Sequence, residues 1–275
     1  MPNAYIAGVG FFVPPKIVTN HDLSKYMNTS DEWIRERTGI QERRFVEKGM
    51  GPSDLAIPAT EQALESAGLS IGDIDFMIFA TSTPDYYIPG SGCLLQEKMG
   101  FNKIGALDIR VQCAGFVYGL SIAEQYIKTG TFENILLVGA EAQTTAMELN
   151  DNGRDVSVIF GDGAGAVIIS GTEEDKGILS THMHSEGKYL KELWMEAPAS
   201  NAGMPRISPE DLEVGKQYLQ MNGKEVFRHA IVRFIEVIHE CLAENNLKVE
   251  DIDMLIPHQA NLRITQMVQK KLGLN

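Results

Sequence analysis

The sequence predicts an α/β protein built from two related halves, on three observations. Apolar runs of strand length alternate with stretches of helical period. The 275 residues, 44% of them hydrophobic, suffice for one large α/β domain or two fused halves. Most informative, part of the first half recurs in the second. Ala63-Leu64 and LSIGDIDFMI (69–78) match Cys241-Leu242 and LKVEDIDMLI (247–256) at a constant offset of 178 residues. LLQEKMGFN (94–102) then matches MVQKKLGLN (267–275) at an offset of 173. Helix, loop and strand are therefore expected twice. Beyond Asn102 the first half continues into a further strand and turn, whereas nothing follows the second copy to match Lys103 to about Ser170. The second half is expected to be incomplete and the polypeptide C-terminally truncated.

Taken in order, residues 4–13 read as a strand, and TSDEWIRERT (29–38) as a short helix with Thr29 and Glu32 at capping-box spacing and Gly39 as its stop. Trp33 lies beside Arg35 and Arg37 on this polar helix. It either packs inward or offers a stacking surface to a flat ring such as adenine. Residues 53–67 read as a helix and 75–81 as a strand. In ALDIRVQCAGFVYG (106–119) a buried strand feeds a helix that runs from Phe116 to Lys128 and ends at Gly130. Cys113 sits at that corner, where unpaired amides and the helix dipole favour thiolate over thiol. The residue is either a nucleophile or a buried structural cysteine.

NILLVGAE (134–141) reads as a buried strand, and SVIFGDGAGAVIIS (157–170) as two strand segments around a glycine-rich turn. That turn has neither the lysine nor the context of a phosphate-binding loop, so no nucleotide is assigned to it. Residues 186–218, with Pro198, Pro205 and Pro209, form a loop-rich insertion before an amphipathic helix from about Asn222 to Asn245. DMLIPHQAN (253–261) then places His258 just past the end of a strand, where it corresponds through the repeat to Ala80. Ligands of open α/β sheets bind beyond strand C-termini, so Cys113 and His258 are expected to converge.

Several classes are excluded. A net charge of -13 and a pI near 4.9 rule out a general nucleic-acid or anionic-membrane surface. No apolar run reaches the roughly 18 residues of a membrane span, and MPNAYIAGVGFFVPP lacks the form of an export signal, so the chain is expected in the cytoplasm. Cys93, Cys113 and Cys241 are too few and too scattered for disulfides or a thiolate metal site. His182 and His184 would share one strand face, but no further ligands accompany them, so no metal is expected.

Four motifs, TSDEWIRERTGI (29–40), QCAGFVYGLSIA (112–123), IFGDGAGAV (159–167) and IPHQANLRI (256–264), resemble in order the β-ketoacyl-acyl-carrier-protein synthase III branch of the thiolase superfamily. The resemblance spans essentially the whole chain. It implies a pseudo-duplicated αβαβα sandwich that forms homodimers, here with an N-terminal half over residues 1–171 that carries the nucleophile. The C-terminal half, residues 172–275, would be incomplete and hold the insertion at 186–218.

The implied reaction has two stages. Cys113 takes an acyl group from acyl-CoA as a thioester. Malonyl-acyl carrier protein then decarboxylates, and its carbanion attacks that thioester while His258 donates a hydrogen bond to the malonyl thioester oxygen. CoA is a substrate and no cofactor is implied. The family asparagine that shares the task of His258, and a glycine amide from near the family C-terminus, have no counterpart here, so condensation is expected to be impaired. The resemblance places Trp33 and Arg154 around the CoA adenine, Thr29, Arg37 and Thr38 near its phosphates, and Gly223 and Phe227 along the pantetheine and acyl channel. It also sets Asn261 beside the histidine and gives Arg228, Arg263, Lys270 and Lys271 to carrier-protein docking.

The loop TSTPDYYIPG (81–90) departs from short-chain members, in which an aromatic residue of the partner subunit caps the acyl pocket. Tyr87 or Ile88 would take that place, and starter length stays open. Other readings are head-to-head condensation of two long acyl-CoA molecules with the same Cys113 and His258, and a cysteine–histidine hydrolase, whose local signatures are absent. A third is a catalytically silent partner subunit that still dimerises or binds CoA.

Overall fold

A computed structural model describes residues 1–274, so Asn275, the last residue of the second repeat match, lies outside the described residues. The long strands are β1 (Asn3–Phe12), β2 (Phe76–Ala80), β3 (Gly105–Ile109), β4 (Asn134–Glu141) and β5 (Gly163–Thr172). The longer helices are α1 (Asp31–Thr38), α2 (Pro52–Ala67), α3 (Ser91–Met99), α4 (Gly115–Lys128), α5 (Gly223–Glu244) and α6 (Leu262–Leu272). Spatially the chain divides into two units that do not follow it in order. One comprises residues 1–16, 44–143 and 161–183, the other 17–43, 144–160 and 184 onward.

The first unit is a five-stranded sheet in the order β1-β5-β4-β2-β3. Its parallel strands β2, β3 and β4 are joined by helical crossovers, while β1 and β5 run antiparallel at one side. Successive side chains of a strand face opposite ways. Met77, Phe79, Leu136, Val138 and Ile168 accordingly pack with Leu55, Ala59 and Ala63 of α2. Ile78, Ile135, Leu137, Val167 and Ile169 pack on the other face with Ala123 and Ile127 of α4. Both faces being covered is why these strands read as continuous apolar runs instead of alternating ones. Each fully buried aliphatic contributes about 1.5–3 kcal/mol over its exposed state.

The glycine-rich stretch at 157–170 is not two strand segments. Residues Arg154–Ser157 form a short helical turn and β5 runs unbroken from Gly163. Its glycines sit within the ladder, Gly165 opposite Gly139 and Gly163 opposite Glu141, so pairing with β4 carries the strand through them.

In the second unit α5 and α6 pack through Ile231, Ile264, Val268 and Leu272, with Phe227, Phe234 and Ile235 around them. The repeat reappears here as hydrogen bonds. Leu69 N–H donates to Leu64 O at 3.0 Å, and Leu247 N–H to Leu242 O at 2.8 Å. The backbone N–H of Ser70 donates to Asp73 at 2.8 Å, as that of Lys248 does to Asp251 at 2.8 Å. Gly100 and Gly273, at φ 73° and 71°, end α3 and α6 in the same left-handed cap.

Two expected strands are not formed. Residues 253–258, the counterpart of β2, are extended but unpaired, with Met254 75% and Ile256 78% exposed. His182 and His184 also stand outside any strand; His182 Nε2 lies 2.8 Å from Ser180 Oγ, and His184 Nε2 is 2.7 Å from a Glu240 carboxylate oxygen. A strand needs a neighbour for its ladder, and among the described residues neither segment has one.

The 186–218 insertion forms 3₁₀ turns over Gly187–Glu192, a two-residue ladder of Leu193–Trp194 with Gln220–Met221, and a short helix Pro209–Glu213 capped by Ser208. Arg43, 6% exposed, donates to Val18 O at 3.3 Å and Val158 O at 3.1 Å. Burial pushes its guanidinium down to about 10. No helix among the described residues is long and apolar enough to cross a membrane.

Candidate active site

In the first unit β3 ends at Ile109, a 3₁₀ turn covers Gln112–Ala114, and α4 starts at Gly115. Gln112 is a non-glycine residue in left-handed backbone, φ 47°, one of the sparsely populated conformations that surrounding structure must enforce. The helix that follows packs tightly on the sheet. A Cβ at Gly115 would lie 2.9 Å from that of Ala80, and one at Gly119 would lie 2.3 Å from Leu137 Cδ1. Only glycine lets α4 press this closely on β2 and β4. Cys113 is thereby held at the tip of the turn, exposed on one side.

Its other flank is crowded, and burial, followed by the negative charge of Glu141, pushes the thiol above its ordinary range. Its own backbone N–H pulls weakly the other way. The sequence-based expectation of a resting thiolate is therefore corrected: desolvation and the Glu141 carboxylate favour the thiol.

Glu141 closes β4 and gathers the start of the 81–90 loop. Its carboxylate accepts from the Ser82 N–H at 2.7 Å, Ser82 Oγ at 3.0 Å, Thr83 Oγ1 at 2.5 Å and Thr81 Oγ1 at 3.5 Å. Ala142 N–H donates to Thr83 Oγ1 at 2.9 Å. Farther along, Asp85 accepts from the Ser53 N–H and Oγ at 3.2 and 2.7 Å, while its own N–H donates to Ser91 Oγ at 3.2 Å. The loop is thus anchored at both ends, and its tip presents Tyr86, Tyr87 and Ile88 at 62, 57 and 83% exposure.

The second unit holds the other expected residues. His258 ends the unpaired extended segment with one side open. Burial of its other side pushes the imidazole below its ordinary range, so it is neutral near pH 7. Asn261 caps α6, its Oδ1 accepting from Arg263 N–H at 2.9 Å. The Arg263 guanidinium lies 5.9 Å from the Phe227 ring centre, which ties the α6 start to α5, whose first residue is Gly223.

Trp33 is half-buried, with the guanidinium carbons of Arg37 and Arg154 at 4.4 and 5.0 Å from its ring centre. Arg154 also donates to Asn28 O at 3.3 Å, which holds it over the indole. Ser30, not Thr29, caps α1, accepting from Trp33 N–H at 3.1 Å. Thr29 Oγ1 is buried without a hydrogen-bond partner. Thr38 departs from the expected phosphate position: it is 4% exposed, donates to Ile34 O at 2.7 Å and accepts from Ile40 N–H at 3.0 Å. It braces the end of α1 from behind. Of the expected docking cations, Arg228 is paired with Glu225 at 2.6 Å, and Arg263, Lys270 and Lys271 are exposed along α6.

Sequence reasoning missed Glu141 and Gln112. A carboxylate closing the apolar run NILLVGAE was the available signal for Glu141. The left-handed backbone of Gln112 has no signal in residue type.

A cysteine-bearing turn between a parallel strand and a helix, on a two-sided mixed sheet inside a partly repeated chain, defines the thiolase-like class of α/β proteins. Residues 107–187 match the family model of 3-oxoacyl-[acyl-carrier-protein] synthase III, and residues 242–275 match the model of its C-terminal part. A β-ketoacyl-[acyl-carrier-protein] synthase III of Clostridium perfringens is 43% identical over 276 aligned positions, covering 100% of this chain and 82% of the relative. Among solved structures, the 3-oxoacyl-[acyl-carrier-protein] synthase III of Aquifex aeolicus superimposes with a TM-score of 0.88 at 38% identity, covering 99% of this chain and 82% of that one. The priming β-ketosynthase of the R1128 polyketide pathway gives a TM-score of 0.90 at 31% identity over 100% of this chain and 79% of its own. The chain belongs to the β-ketoacyl-acyl-carrier-protein synthase III family, and is an acyl-transferring condensing enzyme.

Proposed function

We propose that this enzyme condenses an acyl-CoA starter with malonyl-acyl carrier protein to begin a fatty-acyl chain, through an acyl-enzyme on Cys113. The observation that carries the reading is Cys113, an exposed residue with a partly desolvated thiol on the turn that opens α4. The thiol loses its proton as the acyl-CoA thioester binds. The thiolate adds to the thioester carbonyl, the sulfur–acyl bond forms, and CoA leaves with a proton.

Malonyl-acyl carrier protein then loses CO₂, and the electron pair of the broken C–C bond becomes the carbanion that attacks the Cys113 thioester and expels the thiolate. Neutral His258 donates a ring N–H to the malonyl thioester oxygen as charge gathers there. Asn261 orients the start of α6 beside it.

For CoA, the adenine stacks on the Trp33 indole opposite Arg154, displacing Arg37 toward the phosphates, with Thr29 lining their approach. Thr38 supports this surface without touching it. The pantetheine arm follows Gly223 and Phe227. Arg228, Arg263, Lys270 and Lys271 receive the acidic carrier protein. In this reading residues 1–171 and 172–275 are the two duplicated halves, two copies form a homodimer in the cytoplasm with Tyr87 or Ile88 bounding the acyl pocket, and no cofactor takes part.

Intact-mass spectrometry tests it. Wild-type protein incubated with acetyl-CoA or a longer acyl-CoA gains one acyl group and Cys113→Ala gains none, whereas His258→Ala still loads but consumes malonyl-acyl carrier protein about 10²–10³-fold more slowly. Acyl loading of Cys113→Ala would overturn the assignment.

A further inference from the structure

We propose that Glu141 is a positioning residue of the Cys113 site: its carboxylate clasps Thr81, Ser82 and Thr83 at the end of the sheet where Ala80, paired with Gly139, packs against Gly115 of the nucleophile turn, and it sets a fixed negative charge there. The inference rests on the reading of Cys113 as the acylated residue.

The clasp is built from geometry within one unit. Ala80, the last residue of β2, is the atom-to-atom neighbour that requires glycine at 115, two residues beyond the nucleophile. The next residue, Thr81, donates its N–H to Ile109 O at 3.2 Å, tying the loop to the strand that leads into the nucleophile turn. Glu141 then takes up the three hydroxyls and the Ser82 amide of Thr81–Thr83, while Ala142 N–H reaches back to Thr83. Two carboxylate oxygens thus fix three consecutive loop residues, Thr81, Ser82 and Thr83.

Other carboxylates at this end of the sheet have partners of their own: Asp162, next to the Gly163 that pairs with Glu141, accepts from Val46 N–H at 2.7 Å. Asp85 binds Ser53 at the start of α2, and Asp108 accepts from the Gly92 N–H at the start of α3, at 3.2 Å. Glu141 is the charged side chain that bears on the Cys113 thiol, and it opposes ionisation. A carboxylate here keeps the sulfur protonated until a thioester displaces water and takes up the developing charge.

Glu141→Gln separates connectivity from charge, since the amide oxygen accepts from Ser82 while the amide nitrogen meets the threonine hydroxyls, which then rotate. The measurement is the rate of Cys113 carbamidomethylation from pH 6 to 10, read on the Cys113 peptide by mass spectrometry because Cys93 is exposed as well. With thermal melting matching wild type, Glu141→Gln is expected to move the profile to lower pH and speed alkylation several-fold near pH 7.5. An unmoved profile, or one moved to higher pH, overturns the proposal.

A second variant guards against misfolding. Ser82→Ala with Thr83→Val leaves the charge and removes most of the clasp, so it should raise hydrogen exchange at residues 81–83 while the alkylation profile stays put; a profile shift equal to that of Glu141→Gln overturns the charge argument. Acyl loading of wild type from acyl-CoA keeps the two readings apart. A shifted Glu141→Gln profile in a protein that never loads sinks the acyl-enzyme and leaves the clasp, and normal loading with a static profile does the reverse.

Discussion

Cys113 and His258 deviate from their ordinary ionisation in opposite directions, the thiol upward and the imidazole downward, and each chiefly through burial. Both groups are therefore uncharged near neutral pH, and Cys113 alkylation should rise only above the usual thiol midpoint of about 8.5. Trp33 offers a separate test at this scale. Loss of one aromatic face under a base costs about 1–3 kcal/mol, so Trp33→Ala should weaken CoA binding by roughly five- to 150-fold in titration calorimetry and leave Cys113 alkylation unchanged. The reactive residue types could be read from sequence, because cysteine at a strand–helix corner and tryptophan among arginines are chemically marked. What escaped was the second layer. Glu141 acts through three loop hydroxyls sixty residues away, and Ser30 displaced Thr29 as the cap of α1 by a one-residue shift that residue type does not distinguish.

At the scale of elements, strands β1 to β4 match the apolar runs within a residue or two because each has its ladder partner inside the chain. Residues 253–258 carry the same pattern as β2 yet pair with nothing among the described residues, since periodicity reports what a segment can bury and not whether a neighbour exists. The contrast is measurable by urea unfolding. Leu136→Ala and Leu137→Ala face opposite helices and should each cost about 2–5 kcal/mol. Ile256→Ala, at a residue 78% exposed, should cost little. An equally large loss at Ile256 would mean that this segment is buried in solution. The glycine-rich stretch shows the converse: its composition points to a turn between two strands, yet from Gly163 onward the continuous ladder with β4 makes it strand, while residues 158–162 stay outside the sheet.

For the whole molecule, a net charge of -13 repels an acidic partner at long range, so any productive encounter must be steered by a local cluster of opposite sign. Reversing Lys270 and Lys271 together to Glu should slow association with acyl carrier protein in stopped-flow mixing and flatten its dependence on salt, with loading from acyl-CoA untouched. Retention of the wild-type rate would place docking elsewhere.

The chain crosses from one spatial unit to the other at 16/17, 43/44, 143/144, 160/161 and 183/184. There is thus no seam along the polypeptide at which a protease or a gene splitter could release either body whole: severing the backbone after residue 183 would strand 17–43 and 144–160 without the remainder of their own unit. Synthesis from the N-terminus faces the same ordering, because those two excursions must wait for downstream residues before their unit can be completed.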